Sequence, residues 1–214
     1  MSSPAETSQQ QPTPSPQHTG FDPVEFWYLH KTKIIAFAVF FVVALAGYAI
    51  YEVSQRSARE AANQAFAEAK TADDFKNVIA KHPRQIAAGN AQLKLADILR
   101  KEGKYDEANA SLRSFIEQHP THPLLAGGWL GLAQNAEAAG KSDQALTDYQ
   151  KILTTFPNSY AAPVALLAQG KIQKAKGQND AAKRSFEQVI SQYQFTSFQF
   201  EAQRELASLN KPAK

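Results

Sequence analysis

Apolar residues follow two patterns along the chain, an unbroken run near the N-terminus and a spaced pattern after it. The run extends from Ile34 to Tyr51 and contains no charged residue. A helix rises about 1.5 Å per residue, so this run would span about 27 Å, close to the thickness of a bilayer core. The pattern predicts a transmembrane helix over 34–51 that contacts membrane lipid.

A cleaved signal peptide is the alternative interpretation of this run, because the residues from Ala44 to Ala46 resemble a cleavage site. The polar region before the run is too long for that interpretation. The apolar run also passes directly into a helical pattern. We therefore expect an uncleaved membrane anchor.

The charges that flank the predicted span do not fix its orientation. Lys31 and Lys33 precede it, and Arg56 and Arg59 follow it, so the positive-inside rule gives nearly a tie. A short tail before the helix and a folded domain after it is the usual layout of a bacterial inner-membrane protein. We expect a cytoplasmic N-terminus and a periplasmic C-terminal domain.

The spaced pattern after the span repeats every 37 residues. Four columns recur at this interval: Gly103, Gly140 and Gly177; Asp106, Asp143 and Asp180; Ala108, Ala145 and Ala182; Pro83, Pro120 and Pro157. Gly is expected just past one helix, Asp at the cap of the next helix, and Pro where that helix stops. Each unit is predicted to be a helical hairpin.

These patterns divide the chain into four parts. A disordered polar tail with a juxtamembrane segment covers 1–33, the span covers 34–51, helical repeats cover 52–210, and a short tail covers 211–214. The repeat units are predicted to close near positions 83, 120, 157 and 194. A last amphipathic helix with Phe198, Ala202, Leu206 and Leu209 is expected to cover the open end of the stack.

The repeat columns resemble the tetratricopeptide repeat. Ala96, Ala133 and Gly170 stand at its small-residue position, Trp129 stands where the family often has Trp, and Pro120 and Pro157 match its closing Pro. The chain departs from the family pattern at Gln194, where Pro is expected, and at Leu99, Ala136 and Gln173, which replace an aromatic residue. The resemblance implies an all-α fold, a right-handed solenoid of hairpins after a single transmembrane helix.

The order of tail, anchor, Ala-rich helix and repeats over roughly residues 24–210 resembles the YfgM-type ancillary subunits of the bacterial SecYEG translocon. That resemblance implies a place at the membrane near the translocon. It also implies protein partners, either the translocon itself or periplasmic chaperones, in place of a substrate.

A groove for a protein partner follows from the same resemblance, because the first helix of each tetratricopeptide hairpin lines a concave face. By position, the groove residues are Asn90, Leu93, Asp97, Arg100, Leu130, Gln134, Glu137, Leu167, Lys171 and Lys174. Three of them, Leu93, Leu130 and Leu167, form a leucine column that suits an extended or helical peptide. An equally weighted alternative is that these leucines only pack between hairpins.

Catalytic and metal sites are not indicated by the sequence. The chain has no Cys, and 23 Lys and Arg residues are spread among 20 Asp and Glu residues, which argues against a nucleic-acid partner. His119 and His122 lack a third metal ligand at a useful spacing, so we interpret them as a surface turn. We expect no enzyme activity, no metal and no cofactor.

The sequence therefore favours a scaffold at the bacterial inner membrane that binds proteins and assists secretion. One alternative is a scaffold for another envelope process, such as cell division or outer-membrane assembly. Another is an adaptor that faces the cytosol, and a third is an enzyme whose site has no recognisable motif. The oligomeric state is left open.

Overall fold

The computed structural model describes residues 22–209. The predicted disordered tail up to position 21 and the tail 211–214 lie outside the described residues. The chain divides between Val53 and Ser54 into two compact units, and each is described by itself below.

The described part of the first unit consists of Asp22 and residues of α1 (Pro23–Glu68). Asp22 caps this helix, because its Oδ1 accepts hydrogen bonds from the N–H of Val24 at 2.8 Å and of Glu25 at 3.3 Å. Pro23 suits the first helical position, where no N–H partner is needed. The helix therefore begins well before Ile34. By length and composition it is a candidate membrane span, with its apolar window exposed to the surroundings.

Up to residue 209, the second unit contains the end of α1 and eight further helices. Their bounds are α2 (Ala72–Lys81), α3 (Ile86–Lys101), α4 (Tyr105–Gln118), α5 (Leu125–Ala138), α6 (Ser142–Thr155), α7 (Ala161–Ala175), α8 (Asn179–Gln192) and α9 (Ser197–Leu209). The described part of the chain contains no strand, so the all-α fold class is confirmed.

The repeated glycines end the first helix of each hairpin. Gly103, Gly140 and Gly177 have φ values of 75°, 75° and 72°, the left-handed conformation that glycine adopts without strain. At Gly103 the chain folds back so that the N–H of Lys104 donates to the carbonyl of Leu99 at 2.9 Å. The predicted role of the glycine column is confirmed.

The prediction that the aspartate column caps the second helix of each hairpin is wrong. The cap residues are Lys104, Lys141 and Gln178, and none makes a side-chain cap hydrogen bond. Asp106 lies inside the first turn of α4, because that helix begins earlier than the column suggested. Its carboxylate interacts favourably there with the positive end of the helix dipole, without capping it.

Large side chains on the second helices fill the core against small residues on the first helices. Phe115 of α4 and Phe186 of α8 are fully buried. A Cβ added at Gly128 would lie 2.7 Å from Phe115, and one added at Gly170 would lie 2.5 Å from Phe186. The small residues therefore set the distance between the helices.

The α4–α5 connection is an exposed turn, as the sequence suggested, but its two histidine side chains are partly or fully buried. His122 is buried, and its Nδ1 accepts a hydrogen bond from the N–H of Leu124 at 3.0 Å. Its ring packs edge-on against Phe115. His119 is half-buried with its Nε2 unpartnered. No cluster of three metal-binding side chains occurs among residues 22–209.

Stability is expected to fall as pH drops below neutrality because of His119. Burial, and then the neighbouring His122, lowers the pKa of His119 below its ordinary value of about 6.5. The unfolded chain then binds more protons than the folded chain, so stability is full above about pH 6.5 and declines as pH falls toward the folded pKa. Urea midpoints between pH 7.5 and pH 5 measure this decline. The variant His119→Gln should show a smaller decline in stability. A decline equal to that of the unmodified protein would contradict its attribution to His119.

The chain takes a strained conformation between α8 and α9. Phe195 has a φ of 61° and is 93% exposed. Its N–H donates to Oε1 of Gln199 at 2.7 Å, which holds the residue in place. The ring buries almost nothing in compensation for the strain.

Replacing Phe195 with Gly is expected to raise the free energy of unfolding by up to about 1 kcal/mol. Relief of roughly 1–2 kcal/mol of left-handed strain exceeds the roughly 0.5–1 kcal/mol that added freedom of the unfolded chain costs. Urea unfolding followed by circular dichroism measures the change. Phe195→Ala is the control, since it removes the ring but keeps the strain, and equal stabilities of the two variants would rule out strain as the cause.

Candidate partner-binding groove

The first helices of the hairpins form one continuous face of the repeat unit. α3 contacts α5 and α5 contacts α7, whereas α4, α6 and α8 make no contact with one another within the described residues. The first helices therefore lie closer together and form the inner side of the stack. The ten predicted groove residues all belong to α3, α5 and α7.

The leucine column of this face belongs mainly to the core. Leu130 and Leu167 are 8% and 5% exposed, and each is part of a buried cluster between hairpins. Leu93 is half-buried and packs against the first cluster of the unit. The sequence left open whether these leucines bind a peptide or pack between hairpins. Leu130 and Leu167 pack between hairpins. Of the three, only Leu93 keeps substantial exposed surface.

A chain of polar contacts joins the first two repeats across the groove. Asp97 accepts from Arg100 at 2.7 Å and pairs with Lys101 at 2.8 Å, and Arg100 donates to Oε1 of Gln134 at 2.9 Å. The Lys101 ammonium first, and the Arg100 guanidinium after it, lower the pKa of Asp97 against the opposing effect of burial. Asp97 therefore stays ionised and fixes the direction of Arg100.

Glu137 extends the polar contacts toward the second helices. The hydroxyl of Tyr149 donates to its Oε2 at 2.6 Å. Burial, then this hydrogen bond to a carboxylate, strongly raises the pKa of Tyr149. The tyrosine therefore stays protonated and orients the Glu137 carboxylate.

Tyr160 closes one side of a small cavity in the groove. The cavity has a volume of about 190 Å³, and its lining includes Leu93, Asp97, Arg100, Gly127, Gln134 and Tyr160. The phenol of Tyr160 lies so close to α5 that a Cβ at Gly127 would collide with its hydroxyl oxygen. Tyr160 remains 52% exposed, so its ring is available to a partner.

Comparison with known proteins agrees with this architecture. A family model described as a tetratricopeptide repeat-like domain matches residues 25–211. The chain belongs to this family. No curated protein matches the sequence.

Solved tetratricopeptide structures share the fold. Kinesin light chain TPR-like repeats from Podosopora anserina match with a TM-score of 0.51 and 19% identity, over 72% of this chain and 84% of that one. A tetratricopeptide repeat protein from Parabacteroides merdae matches with a TM-score of 0.50 and 21% identity, over 64% of this chain and 52% of that one. At these identities the likeness extends to the fold alone.

The two lysines predicted for the tetratricopeptide groove, Lys171 and Lys174, form ion pairs with the chain's own last helix. Lys171 pairs with Glu201, and Lys174 pairs with Glu205 at 2.7 Å and bonds to Ser208 at 2.6 Å. These acidic partners lie on α9, which packs against α7. The third-repeat lysines are therefore neutralised, and the polar groups left on the groove face belong to α3 and α5.

Two features of the groove in this tetratricopeptide domain were not predicted from the sequence. Tyr160 lies in the turn before α7, and no repeat column marks it. Gly127 lies directly against the exposed Tyr160, a contact that the sequence did not show. Asn90, the remaining predicted residue, is half-buried in the first turns of α3.

Proposed function

We propose that this protein is a membrane-anchored scaffold that binds other proteins through the groove of its tetratricopeptide repeat-like domain. The observation that carries the proposal is the small cavity beside Tyr160. It combines an exposed aromatic ring with Arg100 and Gln134, whose positions are fixed by hydrogen bonds. Groups held in this way recognise a peptide with little loss of side-chain freedom.

We further propose that α1 anchors the chain in the bacterial inner membrane, with the N-terminus in the cytoplasm and the repeats in the periplasm. The apolar run 34–51 and the family membership support an anchored scaffold. The resemblance to ancillary translocon subunits supports partners at the Sec translocon or among periplasmic chaperones. A scaffold for another envelope process is the alternative that shares this fold and groove.

A photo-crosslinking residue placed at Asn90, on the groove face but outside the Arg100–Gln134 contact, tests the groove in intact cells. We expect crosslinks to an envelope protein, and we expect Tyr160→Ala to reduce them at least fivefold by removing the exposed ring. Lys94→Ala is the matched control, because Lys94 is exposed and lies outside the groove cavity. Unchanged crosslinking in Tyr160→Ala would refute the groove. Crosslinks to division or outer-membrane assembly proteins would favour the alternative process.

Protease accessibility of a C-terminal tag in spheroplasts tests the orientation. Digestion from outside is the expected result for periplasmic repeats. A protected tag that is cut only after lysis would place the repeats in the cytosol, and the protein would then be a cytosolic adaptor.

A further inference from the structure

One edge of the repeat unit carries all the large apolar side chains that are exposed among residues 54–209. This edge consists of the connections α2–α3, α4–α5, α6–α7 and α8–α9, each with the first four residues of the helix that follows: 82–89, 119–128, 156–164 and 193–200. Short connections between packed neighbours make consecutive helices antiparallel, so these segments share one edge. We call it the apolar edge. Its exposed side chains, each at least 38% exposed, are Ile86, Leu124, Tyr160, Phe195 and Phe200.

The apolar edge is also almost free of charge. Its four segments contain Arg84 but no Lys, Asp or Glu, whereas charged residues make up roughly a quarter to a third of an ordinary protein surface. The helical turns on either side add two cations and two carboxylates, Lys81, Arg204, Glu117 and Glu201. The edge therefore has neither the charge of a surface that faces only water nor a strong excess of one sign.

The opposite edge of the unit has the reverse character. It consists of the connections α1–α2, α3–α4, α5–α6 and α7–α8 with the helical turn that follows each. No large apolar side chain is exposed there among the described residues. Its charged residues are Lys70, Asp73, Asp74, Glu102, Lys104, Asp106, Glu107, Lys141, Asp143, Lys176 and Asp180. We call it the charged edge. The unit is thus amphipathic from edge to edge, as protein surfaces at a membrane interface are.

Phe195 shows that this exposure is maintained at a cost. Its backbone is strained, with a φ of 61°, and its ring is 93% exposed. The hydrogen bond from its N–H to Gln199 holds this conformation. Strain that is retained without any gain in packing indicates a role for the ring outside the fold.

The apolar run of α1 leads into the repeat unit at the apolar edge. The rings of Phe66 in α1 and Phe75 in α2 lie 5.9 Å apart, on either side of a short connection. α2 therefore returns the chain toward Ser54, where the unit begins, before α3 starts at Ile86. In the sequence only two residues separate Ser54 from Tyr51, the end of the apolar run. With that run in a bilayer, the unit is tethered at its apolar edge.

We infer that the apolar edge docks on the surface of the lipid bilayer in which α1 is anchored. The inference rests on the anchor of the proposed function and adds a second membrane contact. The exposed rings and aliphatic side chains enter the boundary between headgroups and acyl chains, where such groups are stable. No carboxylate of the edge has to be desolvated for this contact. A unit held at its tether and along its edge turns less freely, so its groove keeps a more constant direction.

Fluorescence quenching in vesicles tests this inference on the full-length protein. The chain has no Cys, so Asn158→Cys gives a single labelling site on the α6–α7 connection, and Gln178→Cys gives the matched site on the charged edge. Both positions are exposed. Each labelled protein is reconstituted in vesicles of phosphatidylcholine and phosphatidylglycerol that contain a lipid with a nitroxide high on its acyl chain. We expect quenching of the label at 158 to be at least about threefold greater than at 178, since docked groups lie within the headgroup boundary. Equal quenching would overturn the inference.

Two double variants show whether the edge itself causes the quenching. Ile86→Gln with Phe195→Asn removes two apolar groups from the edge, and Asn tolerates the left-handed backbone. We expect this variant to lower the quenching of the label at Asn158 at least about twofold, with an unchanged circular dichroism spectrum, because both side chains are exposed. Lys104→Gln with Lys141→Gln, at exposed positions of the charged edge, is the control and should leave the quenching unchanged. Equal effects of the two variants, or no effect of the first, would overturn the inference.

Flotation of the vesicles separates the possible failures. Protein that does not float with the vesicles would refute the anchor, and this inference with it. Protein that floats with an unquenched label at Asn158 would overturn the inference alone, and the apolar edge would then be left to a protein partner. The groove is judged independently by the crosslinks from Asn90 and their loss in Tyr160→Ala.

Tyr160 is left unchanged in the vesicle experiments, because it lines the groove cavity as well as the apolar edge.

Discussion

Phe115→Ala is expected to lower the free energy of unfolding of the repeat unit by about 3–5 kcal/mol. The side chain is fully buried in α4 and lies against Gly89 of α3 and Gly128 of α5. Its removal leaves a cavity that these two helices cannot close, because glycines already bring their backbones as near as the ring allows. The loss is a large part of the stability of an ordinary domain.

Urea unfolding of the full-length protein in detergent, followed by circular dichroism, measures this loss. Phe200→Ala is the matched control, since that ring is on α9 and largely exposed, and we expect it to change stability by less than about 0.5 kcal/mol. Similar losses for the two variants would mean that Phe115 does not hold adjacent hairpins together.

Phe41→Arg combined with Leu45→Arg is expected to release the protein from the membrane. Each arginine near the centre of a span costs about 2.5–3.5 kcal/mol on the insertion scale, and the run 34–51 favours insertion by only about 3–6 kcal/mol. Two arginines together therefore cancel the preference of the run for the bilayer. Both positions are exposed in the first unit, so the charges have no protein partner to reach.

Carbonate extraction of membranes, with immunodetection of pellet and supernatant, checks this outcome. Ser54→Arg with Ser57→Arg is the control, because the same charges then lie beyond the apolar run, and that protein should stay in the pellet. If the Phe41 and Leu45 variant also stayed in the pellet, the anchor would have to lie elsewhere.

Local patterns in the sequence were sufficient to predict the all-α fold class and the tetratricopeptide repeat. The glycine column at Gly103, Gly140 and Gly177 marks helix ends because a left-handed turn is a local requirement that each glycine meets alone. The aspartate column failed because a cap depends on the residue at which a helix begins. That residue depends on packing against the previous hairpin as well as on local preference.

The candidate groove was predicted only in outline. The ten residues lie on the first helices of the hairpins, as the resemblance to the tetratricopeptide repeat implied, and nine of them recur at the 37-residue period. The period could not show that α9 folds back so that Glu201 and Glu205 neutralise Lys171 and Lys174. Nor could it show Tyr160 beside Gly127, because a turn residue has no repeat column.

The sequence alone determined the apolar run of a candidate anchor and the features that repeat, namely the helical hairpin and the small residues between its helices. Only the tertiary structure decided what does not repeat, namely the burial of His122, the ion pairs of Lys171 and Lys174 with α9, and the contact of Tyr160 with Gly127. The physical reason is the range of the interactions. Periodicity reflects contacts within a hairpin, whereas these features arise between residues of different hairpins that the chain brings together only when the repeats stack.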